Sequence, residues 1–200
     1  GGRLQADPIQ LTGDAGQLLS ASAVIDADLA TWDMRLEAKG LDLGAMATRF
    51  GHPGLVTGGR SDVLLQFRGR GKTLHAVLGS LDGNARMQIG ALRLRNAAIS
   101  PDRGIVQRTI GLVNPFQDSD PHTEVKCFAA NVPIRNGILI SDQGIAAETA
   151  KYNVVLSGSL NLRTEVIDIA VTPIVTGALG VGSASIANIV RVGGTLAAPA

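Results

Sequence analysis

Aromatic side chains are scarce in this 200-residue chain, with four Phe, one Trp and one Tyr making up 3% of it. An interior without large rings must be assembled from Ala, Val, Ile and Leu, which suits flat sheets and shallow grooves. The single cysteine, Cys127, excludes an internal disulfide. It alternates with Val125, so it is expected to face inward as a small, chemically quiet hydrophobe. An excess of one charge sign is missing too: 18 Lys and Arg stand against 17 Asp and Glu, a formal charge of +1. No long-range field therefore gathers polyanions, and nucleic acid is not an expected partner. The opening residues Gly1-Gly2-Arg3-Leu4-Gln5 lack the basic start, apolar run and cleavage site of a signal peptide. They read as the beginning of a strand already under way, so the chain is expected to be an excised part of a longer one. From Ile169 to Val190 there is no charge over a length close to that of a membrane span. Pro173, Gly177, Gly180, Gly182 and Asn188 interrupt it, and the expected reading is a strand followed by a loop and a short helix.

Reactive constellations are equally sparse. Gly69-Arg70-Gly71-Lys72-Thr73 imitates the end of a phosphate-binding loop, but Gln66 stands where the first glycine belongs. His52, His75 and His122 are far apart, and none has a second His or Cys at metal-ligand spacing. Asp118, Asp120 and His122 are the densest set of hard-metal ligands, yet they sit among Ser and Pro in a stretch that reads as a solvated loop. No Ser occupies a G-x-S-x-G turn. Asp26, Asp28 and Asp33 resemble an acid/base set less than they resemble charges keeping a sheet face soluble. The expectation is therefore no catalytic residues, no metal and no cofactor.

What is present is period-two alternation. Leu19, Ala21, Ala23, Ile25, Ala27 and Leu29 form one apolar face against Ser20, Ser22, Asp26 and Asp28. Trp32, Met34, Leu36 and Ala38 then alternate with charged residues, so a turn near Ala30-Thr31 joins an antiparallel pair. Val63, Leu65 and Phe67 repeat the pattern, as do Ala85, Met87 and Ile89. Asn136-Gly137 is the strongest hairpin signal, because both residues accept positive φ. Val154, Leu156, Leu160 and Leu162 alternate with Val155, Ser157, Ser159 and Asn161, and Ile167, Ile169 and Val171 follow. Three segments carry helix punctuation instead. Asp42 caps a turn running to Phe50. Thr73 caps Leu74 to Leu81, whose Leu74, Val77, Leu78 and Leu81 share one face. Ser100-Pro101 opens a third, reaching Val113. The predicted fold is mainly β: an antiparallel β-meander forming a curved sheet or groove, with two or three short helices covering a face or an end.

Several of these segments together resemble the C-terminal region of AsmA-like proteins. The similarity lies in Leu41-Asp42-Leu43, Arg49-Phe50-Gly51-His52-Pro53, the Gly58-Gly59-Arg60 turn into Val63 to Gly71, and Leu78-Gly79-Ser80-Leu81-Asp82-Gly83. It continues through Val125 to Ala130, Ile134-Arg135-Asn136-Gly137, Gly158 to Ile169, and Val190 to Pro199. It is strongest over residues 40–200, and residues 1–200 read as one β-rich segment. These are motifs of glycine turns and apolar strands, which identify architecture better than activity. The resemblance implies a periplasmic segment of a protein anchored to the inner membrane by an N-terminal helix that is not in this chain. It further implies a role in lipid transport and outer-membrane biogenesis, with phospholipid or another acyl-chain lipid and envelope-assembly proteins as partners. The alternative is a structural module that docks such proteins without binding lipid. Val63, Leu65, Phe67, Leu156, Leu160, Leu162, Ile167, Ile169 and Val171 are the candidate groove-lining residues, since a dry aliphatic face solvates acyl chains while a headgroup stays wet.

Overall fold

The computed structural model describes residues 2–13, 16–95, 122–150, 152–175 and 190–198. Alternating apolar and polar residues make strands, and the strands appear where that alternation runs: β1 Arg3–Thr12, β2 Leu18–Asp26, β3 Thr31–Asp42, β5 Arg60–Arg70 and β6 Asp82–Ile89. After them come β8 His122–Arg135, β9 Ile138–Thr149, β10 Tyr152–Asn161, β11 Ile167–Val175 and the short β12 Val190–Val192. Each of these is hydrogen-bonded antiparallel to its neighbour in that order, giving an open, curved sheet, the predicted meander. Between β3 and β5 the chain leaves the sheet as α1 Leu43–Arg49 and β4 Val56–Gly58, and β4 pairs with β7 Leu92–Arg95 beside β8. α2 Leu74–Gly79 sits between β5 and β6.

The local signals act as physical chemistry requires. Asp42 Oδ1 accepts from Ala45 N at 2.9 Å and Thr73 Oγ1 from Ala76 N at 3.2 Å, satisfying amides that have no partner at the starts of α1 and α2. Asn136 and Gly137 have φ of 48° and 73°, the two positive angles that let a two-residue turn match the twist of β8 and β9. Asp26 Oδ1 accepts from Asp28 N and Leu29 N, pulling the chain into a turn at that point. β2 consequently ends at Asp26, earlier than its apolar alternation predicts, and Leu29 is exposed.

α2 packs against one end of the apolar sheet face. Gly69 permits this: a Cβ there would meet Val77 Cγ1 at 2.8 Å, so only glycine lets the helix approach β5 so closely. Val77 and Leu81 pack with Ile134 as a buried cluster, and Trp32, Phe67, Leu139 and Leu162 lean on it. Trp32 Nε1 donates to Gly71 O at 3.0 Å, fixing the ring to the turn that enters the helix. Leu74 was expected on the same helix face but is 74% exposed, because it lies in the first turn, before the helix reaches the sheet. At the opposite end, Ser61 is 2% exposed and its hydroxyl donates to Leu41 O, with Gly59 seated against Leu43 and Leu92. α1, β4 and β7 close that end.

Cys127 corrects another expectation. Between Val125 and Cys127 the pairing with β9 shifts, so Thr149 opposes Val125 and Glu148 opposes Cys127. A bulge inserts one residue and reverses the alternation beyond it. Cys127 is therefore exposed, with Sγ 3.9 Å from Glu148 Oε2. The expected third helix at Ser100–Val113 lies outside the described residues, as do Asp118 and Asp120. His122 opens β8 opposite Arg95. Of the uncharged run, residues up to Val175 are in β11 and 176–189 lie outside the described residues. Among the described residues no helix is long and apolar enough to cross a membrane, and no three His, Cys, Asp or Glu side chains are grouped to hold a metal ion.

Candidate functional site

Register turns the separate alternations into one surface. Leu11 pairs with Leu19, Leu19 with Ala38, Ala38 with Val63 and Val63 with Met87. The row continues from Met87 to Ala130, Ile145, Leu156, Val171 and Val190. Cross-strand partners share a face, so this is an uninterrupted aliphatic ladder over ten strands, spanning roughly 43 Å at the usual strand spacing. A second row runs parallel to it through Ala23, Met34, Phe67, Gly83, Ile134, Leu139, Leu160 and Ile167. Small residues recur in both rows, so the surface is shallow, as the shortage of aromatics implied.

All nine candidate residues lie on this face, but they divide into two groups. Phe67 and Leu162 pack on the α2 cluster and serve the closed end, and Ile167 is buried at 7% exposure. Val63, Leu65, Leu156, Leu160, Ile169 and Val171 remain half-buried between the two closed ends. On β10 and β11, Leu156 faces Val171, Leu160 faces Ile167, and Ile169 faces Gly158. The β5 residues stand four strand steps away, roughly 19 Å. Met87, Ala130 and Ile145 fill the gap. Met87 was legible as strand alternation, whereas Ile145 was not: Gln143 has φ of 56° and the register shifts between Leu156 and Gly158, so β9 does not alternate along its length.

The opposite face is polar and laced by ion pairs between neighbouring strands. Arg68 reaches Asp33 at 2.7 Å, Arg93 reaches Glu124 at 2.7 Å and Lys126 reaches Glu148 at 2.9 Å. Glu37 receives Lys39 at 2.8 Å and Arg35 at 3.1 Å. Those two cations, Lys39 foremost, hold the Glu37 carboxyl below its ordinary range, and Glu37 in turn raises Lys39. Hydrogen bonding to Asp33 likewise raises Arg68. These pairs are solvated, so they keep the face soluble and in register more than they stabilise it. The strand order thus yields a two-sided sheet, with one face able to solvate alkyl groups and the other water.

No family model matches the chain, no curated protein matches it at a significant level, and no solved structure matches it.

Proposed function

We propose that this chain is a non-enzymatic lipid-handling module of a bacterial envelope protein, carrying acyl-chain lipid across its aliphatic face. The observation that supports the reading is the ten-strand ladder, half-buried along its middle and closed at both ends of the strands. A sheet needing only a core would bury such residues fully, whereas a lipid path must leave them partly accessible. The resemblance to AsmA-like proteins agrees with this reading and supplies its setting: a periplasmic module on a protein anchored in the inner membrane, serving phospholipid transport and outer-membrane biogenesis.

Mass spectrometry of organic extracts from protein purified without detergent tests it. Reproducible, near-stoichiometric phospholipid is the expected result, and lipid-free protein that also takes up none from vesicles would remove the proposal. A second reading rests on β1, the long outer strand of the open sheet, whose Leu4, Ile9 and Leu11 are 59–65% exposed. Such an edge offers backbone and apolar side chains to another strand, which suits a module docking envelope-assembly partners.

A further inference from the structure

The polar face carries a recess that the lipid reading does not use. Glu37, Lys39, Asp62, Arg86, Gln88 and Asn131 line a trough of about 450 Å³ across β3, β5, β6 and β8. These residues alternate with Ala38, Val63, Met87 and Ala130 of the aliphatic ladder, which places the trough on the other side of the sheet. An adjoining recess of about 470 Å³ shares Asp62 and Gln88 with it and ends at Arg60 and Cys127. Together they run along the strand direction.

Their charges follow a regular order. Gly90 N donates to Arg60 O, Asp62 stands opposite Gln88, and Leu64 stands opposite Arg86. Reading along the β5–β6 pair, a cation, an anion and a cation recur every second residue, about 7 Å apart and about 13 Å in all. Among the described residues the Arg60 guanidinium has no hydrogen-bond or ion-pair partner, and Arg86 gives only Nε, to Asn131 Oδ1 at 3.3 Å. The planar forks of both are therefore open to carboxylates, the partners that guanidinium fits best. Asp62 receives Gly40 N at 2.7 Å through one oxygen and has the other to offer. Glu37 is already matched by Lys39 and Arg35.

We infer that this trough binds an extended peptide segment with acidic, basic and acidic side chains at alternate positions. A peptide laid along the strands has the same rise per residue as the sheet, so its side chains at i, i+2 and i+4 descend over Arg60, Asp62 and Arg86. Gln88, beside Asp62, supplies an amide for the peptide backbone.

The test uses the full chain and two fluorescein-labelled peptides of equal composition. One has Glu, Lys and Glu separated by single serines, and the other has the three charges contiguous. Anisotropy at low salt should show the alternating peptide binding more tightly, and Arg60→Ala and Arg86→Ala should each weaken it by about fivefold. Arg68→Ala removes a cation already paired with Asp33 and should leave binding unchanged. Bound peptide should also slow maleimide labelling of Cys127 at the trough's end. Circular dichroism confirms that the variants are folded, as expected for exposed positions. Equal binding of both peptides, no binding, or indifference to the two substitutions would each overturn the inference. So would attachment to anionic phospholipid vesicles through Arg60 and Arg86 without peptide binding, which would make the face a membrane contact.

Discussion

Two places in the second apolar row carry the same kind of residue but behave differently. Ile134 is 4% exposed, whereas Met34 in the same row is 38% exposed. Strand pattern does not distinguish them, because each alternates with polar neighbours. Proximity to the six-residue helix α2 does: Ile134 touches Val77 and Leu81 and so loses its water. A short excursion from the sheet thus decides which part of a uniform apolar face becomes core and which part stays available.

The largest effect should come from the packed part. Ile134→Ala removes three carbons' worth of contact beneath α2 and should cost about 2–5 kcal/mol, read as a lower denaturant midpoint. A loss below 1 kcal/mol, on the order of a surface change, would mean that the cluster is not the core. Leu160→Asn probes the available part, one strand pair away. In a lipid path its amide keeps contact with solvent or headgroups, so the midpoint should fall by about 1.5 kcal/mol or less while extracted lipid drops. A midpoint loss matching that of Ile134→Ala would move Leu160 into the core, and unchanged lipid would take it off the path.

Thr73→Ala attacks the boundary itself. Without the Thr73 hydroxyl, Ala76 N loses its cap and α2 should loosen at a cost of about 1 kcal/mol. Faster hydrogen exchange in Leu74–Gly79, with β10 and β11 unchanged, is the expected signature. The smallest effect belongs to the polar face. Glu37 has a depressed pKa in the folded chain, so its contribution is present above the ordinary glutamate range and is lost as pH falls through the lower folded value. Glu37→Gln should lower stability slightly at neutral pH and leave it unchanged at strongly acid pH, so that the acid limb of the profile flattens, as differential scanning would record.

Much of this fold was legible because the meander uses local signals. Alternation marked β2, β3, β5, β6, β10 and β11, and Asp42, Thr73 and Asn136-Gly137 marked two helix starts and a hairpin. What escaped were the places where residues are inserted, one in β8 and two in β9. The bulge before Cys127 reversed its side, and Gln143 broke the alternation of β9. Neither insertion changes composition, so periodicity alone reads through them. The nine candidate residues share one face, as the alternation in each strand implies. Their division into packed and half-buried was not legible, because it depends on where α2 lands, and that is set by Gly69 opposite Val77 rather than by the strands themselves.

The order of strands also bears on how the chain finds its shape. Every long strand bonds to the next long strand, so nearly all pairing is between neighbours in sequence, and little loop entropy must be lost before a contact forms. The tight Asn136-Gly137 turn makes the β8–β9 hairpin a natural starting point, from which strands can add outward in both directions as rungs on a growing ladder. Such a molecule has graded rather than uniform resistance to opening: β1 and β12 exchange first, and the strands around the hairpin last.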